Sequence, residues 1–403
     1  YSRVTVMVYF NTTLDQLPEL DDDALEHAAK VKQYLLQQIN EHDGFIGFDQ
    51  YMASVLYAPG IGYYSAGSEK LGAGGDYVTA PLISPLFSMT LARFIAQHIG
   101  LGDEILELGA GTGVMARDII TSLTESGSRA VGYKVLEPSA DLQERQRRVL
   151  KPVIDSEVMP VSWLDGLDAQ EAFNGVIVGN EVIDAMPVQR FVIQSGQIWE
   201  LGVGLEDKQL GLKTRQASAE FSDLIKTRLP LPLDAYPDSY CGEYRPAVDG
   251  WLKALGEYMH SGMLLLFDYG FERAEYYRPD RLHGTLRGYY RHFLVEDPLL
   301  YPGMMDLTAS VDFTQLAEAG AQHGFSVAGY TTQANFLVAH GLAEIGQEAM
   351  AARNQSDLNR MNAAEAVKLL TDPGEMGESI KVVVLTKGRG IDTGFSKDLR
   401  YRL

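Results

Sequence analysis

The sequence predicts an α/β fold, a mostly parallel sheet with helices on both faces, and three features predict it. Short apolar runs recur at Glu104 to Leu108, Tyr133 to Leu136, Val158 to Ser162, Gly175 to Val178 and Met263 to Phe267. Helical periodicities separate them, the pattern of strands joined by crossover helices. The first run also enters a glycine-rich turn that opens directly into a helix.

The elements follow in order. Leu25, Ala28, Ala29, Val31, Leu35 and Leu36 recur at helical spacing between Asp22 and Gln38, and a second helix is expected over Asp49 to Leu56. Turn formers from Tyr57-Ala-Pro-Gly-Ile-Gly-Tyr-Tyr through Gly72 to Pro81 predict an ordered loop. A helix over Leu86 to His98 leads into the first strand, and another, Val114 to Leu123, follows the glycine turn. The regular alternation fails between Val188 and Gly250, where Phe191 to Gly204 reads as a β-hairpin turning at Ser195-Gly196, ahead of polar sequence and a proline-marked loop at Leu229 to Pro237. Tyr269 to Thr308 reads as irregular. A helix from Asp312, a strand near Phe325 to Tyr330, a long helical region from Phe336 to Leu370 and a last strand, Ile380 to Leu385, complete the chain. The expected organisation is an N-terminal helical and Gly/Tyr-rich region (1–100), a core (101–187 and 250–403) and an insertion (188–249).

Composition narrows the function classes. The 403 residues carry a formal charge of -20, which disfavours a phosphate backbone as partner, and 46% are hydrophobic, enough for a buried core. A basic peptide or protein suits such a surface better. The single cysteine, Cys241, excludes an internal disulfide, and no Cys/His cluster has zinc spacing, so no metal is expected. No apolar run approaches the roughly 20 residues of a membrane span. The start of the chain resembles neither an Arg-rich transit peptide nor a secretory signal, so the expected compartment is the cytoplasm.

The chemistry concentrates at predicted strand ends. Glycines at 109, 111 and 113 permit a tight turn and admit a ligand against the main chain. A dinucleotide fingerprint would need glycine at 114, where Val114 stands. Glu107 occupies the place of the strand-end acid that precedes this turn in methyltransferases using S-adenosylmethionine. Read alone, the motif is equally a tight turn with no ligand. Glu137, at the end of the next strand, adds an acid suited to accept hydrogen bonds from two ribose hydroxyls. The strand Gly175-Val-Ile-Val-Gly runs into Asn180-Glu-Val-Ile-Asp-Ala-Met-Pro187, placing Asn180, Glu181 and Asp184 beyond a sheet edge where ligands sit. Paired carboxylates such as Glu181 and Asp184 would orient a guanidinium acceptor. The alternative is a helix-capping Asp184 and a surface Glu181. Downstream of Asp268-Tyr-Gly, the stretch His283-Gly-Thr-Leu-Arg-Gly-Tyr-Tyr-Arg-His292 reads as a substrate lid, with Tyr269 and Arg287 as substrate contacts and His292 as a candidate base.

With these blocks in place, the sequence resembles the MidA-like family, relatives of a mitochondrial arginine methyltransferase that assists respiratory complex I assembly. The resemblance rests on Tyr57 to Tyr64, Gly75-Asp-Tyr-Val-Thr-Ala-Pro81, Glu107 to Gly113, Asn180 to Pro187, His283 to His292 and Pro302-Gly-Met-Met-Asp-Leu-Thr-Ala-Ser-Val-Asp-Phe313. It implies a class I methyltransferase fold, a seven-stranded sheet with an antiparallel last strand, under an N-terminal helical cover and with an inserted hairpin region. It also implies S-adenosylmethionine as cofactor, with Asp76 and Thr79 joining its binding set, and ω-nitrogen methylation of a protein arginine, including that of a complex I subunit. Two departures stand out: the family continues Thr-Ala-Pro with Glu-x-Ser and a Phe-Gly pair, whereas this chain has Leu82-Ile-Ser and Phe87-Ser88. The rival expectations are a non-catalytic assembly or chaperone-like protein retaining the fold, and methylation of a small molecule.

Overall fold

A computed structural model describes residues 17–18, 20–65, 79–128, 130–167, 172–351 and 357–403. The chain forms two compact units, each drawn from three segments.

The unit comprising Val78–Ile183, Val248–Gly270 and Phe313–Leu403 carries the α/β core. Its strands are β1 (Glu104–Leu108), β2 (Tyr133–Leu136), β3 (Val161–Leu164), β4 (Phe173–Asn180), β5 (Met259–Phe271), β6 (Ser326–Thr332) and β7 (Ile380–Lys387), aligned in the order β6-β7-β5-β4-β1-β2-β3. Strands β1 to β5 pair in parallel, and β7 runs antiparallel to both β5 and β6, as expected for the last strand. A sheet covered on both faces needs strands apolar on both sides, and Val176–Val178, Met263–Phe267 and Val382–Leu385 meet that need, all fully buried. On the helix Val114–Glu125, Met115, Ala116, Ile119, Ile120 and Leu123 form the buried stripe. Phe267 of β5 packs edge-on against Phe87 and Phe336 at 5.2 and 5.0 Å between ring centres. The chain order reverses between β1 and β4, the switch point beyond whose carboxyl ends an open α/β sheet binds its ligand.

Two expectations for this unit change. Strand β3 begins three residues later than the apolar run suggests, because Val158 is exposed and Pro160 has no N–H to give a ladder. The long C-terminal helical region divides into Gln333–Ala339, Leu342–Ala351 and Asp357–Thr371. Gly341, at φ +90°, breaks the first from the second.

The other unit comprises the N-terminal segment to Tyr77, Asp184–Ala247 and Phe271–Asp312. Asp21 caps the helix Asp22–Glu41 through Ala24 N–H, and Ala24, Val31, Leu35 and Ile39 bury one face. The hairpin Gln189–Gln194 and Gln197–Glu206 turns at Ser195-Gly196, both with positive φ, as the sequence indicates. It belongs to a five-stranded antiparallel sheet with Phe45–Gly47, Gln209–Gln216 and Tyr240–Tyr244. The stretch expected to be irregular after Tyr269 instead holds a three-stranded antiparallel sheet, Phe293–Val295, Arg287–Tyr290 and Asp306–Thr308. Strands of three or four residues are too short to display a period. No described helix is long and apolar enough to cross a membrane.

Candidate active site

Strand β1 ends in a backbone that only glycine adopts freely. Gly109, Gly111 and Gly113 have φ of +62°, +51° and +85°, and Gly113 caps the helix Val114–Glu125. A Cβ on Gly113 would lie 3.1 Å from Cα and 3.3 Å from Cβ and Cγ of Gln146, so this glycine also admits the neighbouring helix.

Two buried acids flank the turn. Glu107 Oε2 accepts the Tyr133 hydroxyl proton at 2.6 Å. Glu137 Oε1 accepts Ser139 N–H at 3.0 Å, and its Oε2 accepts Gln146 Nε2–H at 3.1 Å. Burial pushes both carboxyls up to about 7; the Glu137 charge adds to the rise at Glu107, and the neutral donors oppose it. Among the described residues, no lysine or arginine acts on either acid. Hydroxyl donors or a cation brought by a ligand would favour the ionised forms, which suits a nucleoside diol and a positively charged sulfonium or ammonium.

In the register of β1 and β4, Leu108 pairs with Gly179, so Asn180 stands level with the start of the glycine turn. Asn180 Nδ2 donates to Glu181 Oε1 at 3.0 Å, while its buried Oδ1 has no partner among the described residues. An orphaned buried acceptor at a strand end is a fit for a ligand N–H or O–H. Glu181 has φ +52°, a strained setting for a non-glycine residue, held by its N–H bond to the Phe267 carbonyl at 2.8 Å. Asp268, fully buried, accepts Ile183 N–H at 2.8 Å and Tyr269 N–H at 2.9 Å, pinning the loop from β5. Tyr269 is half-buried on that strand, and Thr79 precedes the short helix Ala80–Ile83. Asp76 lies outside the described residues.

Asp184 belongs to the other unit, where it sits in a turn and caps no helix. Burial pushes its carboxyl up to about 6 against the pull of Arg245. The buried Arg245 guanidinium donates to the carbonyls of Asp184, Met186, Ala309 and Ser310 at 2.7–3.3 Å, tying two segments together. The Tyr57 hydroxyl donates to the Ala185 carbonyl at 2.8 Å, and its ring stacks on Tyr64. Arg287 stands exposed at a strand start, its Nη1 on the Leu286 carbonyl. His292 is exposed in the turn joining Arg287–Tyr290 to Phe293–Val295, with φ +68°. Among the described residues, no hydrogen-bond partner of its ring stands in the structure.

Sequence reading missed Tyr133, Gln146, Asp268 and Arg245, all of which act on residues distant in the chain. Only Gln146 left a signal: it occupies an apolar position of the stripe Gln146, Leu150, Val153 on the helix Ala140–Asp155.

Comparison with known proteins agrees with this geometry. Residues 90–331 match the family described as "Putative S-adenosyl-L-methionine-dependent methyltransferase". A COG1565 superfamily protein from Burkholderia thailandensis, crystallised with S-adenosylhomocysteine, is 36% identical with a TM-score of 0.88, covering 96% of this chain and 100% of that one. A native crystal structure of a COG1565 protein from the same organism gives a TM-score of 0.84 at 36% identity, over 95% and 98% of the two chains. The mouse protein named protein arginine methyltransferase NDUFAF7, mitochondrial, is 28% identical over 83% of this chain and 79% of its own length. Its human counterpart is 26% identical over 87% and 82%. The chain belongs to this S-adenosyl-L-methionine-dependent methyltransferase family.

Proposed function

We propose that this methyltransferase acts on the side-chain nitrogen of a protein arginine. The observation that carries the reading is Glu181, an acid held at φ +52° at the carboxyl end of β4 next to Asn180, whose buried Oδ1 has no partner among the described residues. The relatives named as protein arginine methyltransferases support it, as does the acidic surface, which favours a basic substrate.

When bound, S-adenosylmethionine supplies a methyl carbon made electrophilic by its sulfonium. Glu137 receives the ribose hydroxyls, Glu107 steadies the turn and adds negative potential, and the turn glycines allow main-chain approach. Asn180 Oδ1 accepts a ligand proton. Glu181 would orient the guanidinium and take the proton its nitrogen sheds as the N–C bond forms, the S–CH3 bond breaks and S-adenosylhomocysteine leaves.

The test incubates the protein with methyl-labelled S-adenosylmethionine and arginine-bearing proteins and peptides, followed by mass spectrometric location of the label. Label on arginine, reduced about 100-fold or more by Glu181→Gln with cofactor binding intact, is expected. Label found only on lysine or on small molecules would overturn the arginine reading.

A further inference from the structure

Gln146 makes more contacts to the cofactor turn and its acids than any single feature of the motif reveals. Its Nε2 donates to the Gly111 carbonyl at 3.0 Å and to Glu137 Oε2 at 3.1 Å, and its Oε1 accepts Trp163 Nε1–H at 2.9 Å. The side chain is fully buried. An indole N–H only donates, so Trp163 fixes the amide with its oxygen outward to the ring and its NH2 toward the two acceptors. That orientation leaves no acceptor facing Glu137 Oε2, so a proton on this oxygen has no partner there. Ser139 N–H presents the other carboxylate oxygen with a donor as well. Both oxygens therefore keep lone pairs directed by the protein and spare ones for a ligand.

We propose that Gln146 is a positioning residue for the cofactor: it holds Glu137 as an oriented carboxylate for the vicinal hydroxyls of the ribose and couples that acid to the Gly111 backbone. The inference rests on the assignment of Glu137 to the ribose. Burial alone drives Glu137 toward its neutral form, and the Gln146 amide opposes that drive. Among the described residues, the other groups facing this region are Glu107, which adds negative charge and accepts the Tyr133 hydroxyl proton, Gln143, whose amide donates to the Glu137 carbonyl at 2.8 Å, and Arg147, whose guanidinium lies 4.0 Å above the Trp163 ring.

The test is calorimetric titration with S-adenosylhomocysteine, which needs no methyl acceptor, and with its 2′,3′-dideoxy analogue, which offers Glu137 no hydroxyls. Gln146→Met keeps the length and removes the donors. The expected result is a Kd for S-adenosylhomocysteine raised about tenfold or more, a markedly smaller change for the dideoxy analogue, and an acid limb of the binding profile moved to higher pH. Trp163→Phe, which leaves Gln146 in place but frees its amide, should give a smaller change of the same pattern and serves if Gln146→Met fails to fold. An equal penalty on both ligands, with an unmoved pH profile, would overturn the positioning role. Glu137→Gln binding both ligands as the wild type does would overturn the ribose assignment itself, and the inference with it.

Discussion

Buried carboxylates are neutralised in two ways in this protein. Glu243 faces Arg190 at 3.4 Å, Asp312 faces Arg273 at 3.6 Å and Asp103 faces Arg389 at 2.7 Å, each acid with a cation of its own. At the glycine turn, Glu107 and Glu137 receive, among the described residues, a hydroxyl, an amide and a backbone N–H. An acid with a built-in counter-ion is finished scaffold. One given neutral donors alone bears a desolvation cost that a ligand relieves. The contrast sets the acids at the turn apart from the ion-paired ones.

The largest effect that could break this comparison is on stability. Arg190→Met leaves Glu243 buried and unpaired and should cost about 3–5 kcal/mol in chemical denaturation. Glu137→Gln, which removes a charge with no counter-ion, should leave stability unchanged or improved. Equal losses would erase the distinction. Next, Gly113→Ala forces a side chain into left-handed backbone and against Gln146, costing about 1–2 kcal/mol from the backbone alone, and should weaken S-adenosylhomocysteine binding measured at fixed pH.

Two pH effects sharpen the comparison. With carboxyls near 7, cofactor binding competes with protonation, so affinity should fall by up to about tenfold per unit as pH drops below about 7, read by titration across pH 5.5 to 8.5. The sign for stability is opposite. A carboxyl whose folded value lies above its unfolded one binds more protons in the folded state. Its stabilising contribution is present below about 4.5 and is lost as pH rises through about 7. Glu107→Gln, whose amide oxygen still accepts the Tyr133 hydroxyl proton, should raise the melting temperature of ligand-free protein at pH 8. At pH 5, where Glu107 is already neutral, the gain should shrink markedly.

What was legible in the sequence follows the reach of each interaction. The β1 strand, its glycine turn and the following helix were readable because an apolar run, three glycines and a helical stripe are contiguous. The Ser195-Gly196 hairpin was readable for the same reason. Gln209–Gln216 was not, since only Leu210 and Leu212 are apolar in a run of polar residues and glycine, none of it fully buried. Arg245 and Asp268 were hidden because their partners are backbone groups distant in sequence, which no pattern encodes. His292 shows the converse: it sits in a persuasive motif, yet its exposed left-handed turn position accounts for it.

The central claim is that Glu137 and the turn it faces hold the cofactor, and it is tested most directly by calorimetric titration of wild type and Glu137→Ala with S-adenosylmethionine at pH 8. Micromolar binding in the wild type and a Kd raised at least about tenfold in a variant of unchanged fold is the expected result. Equal binding by both proteins would contradict it.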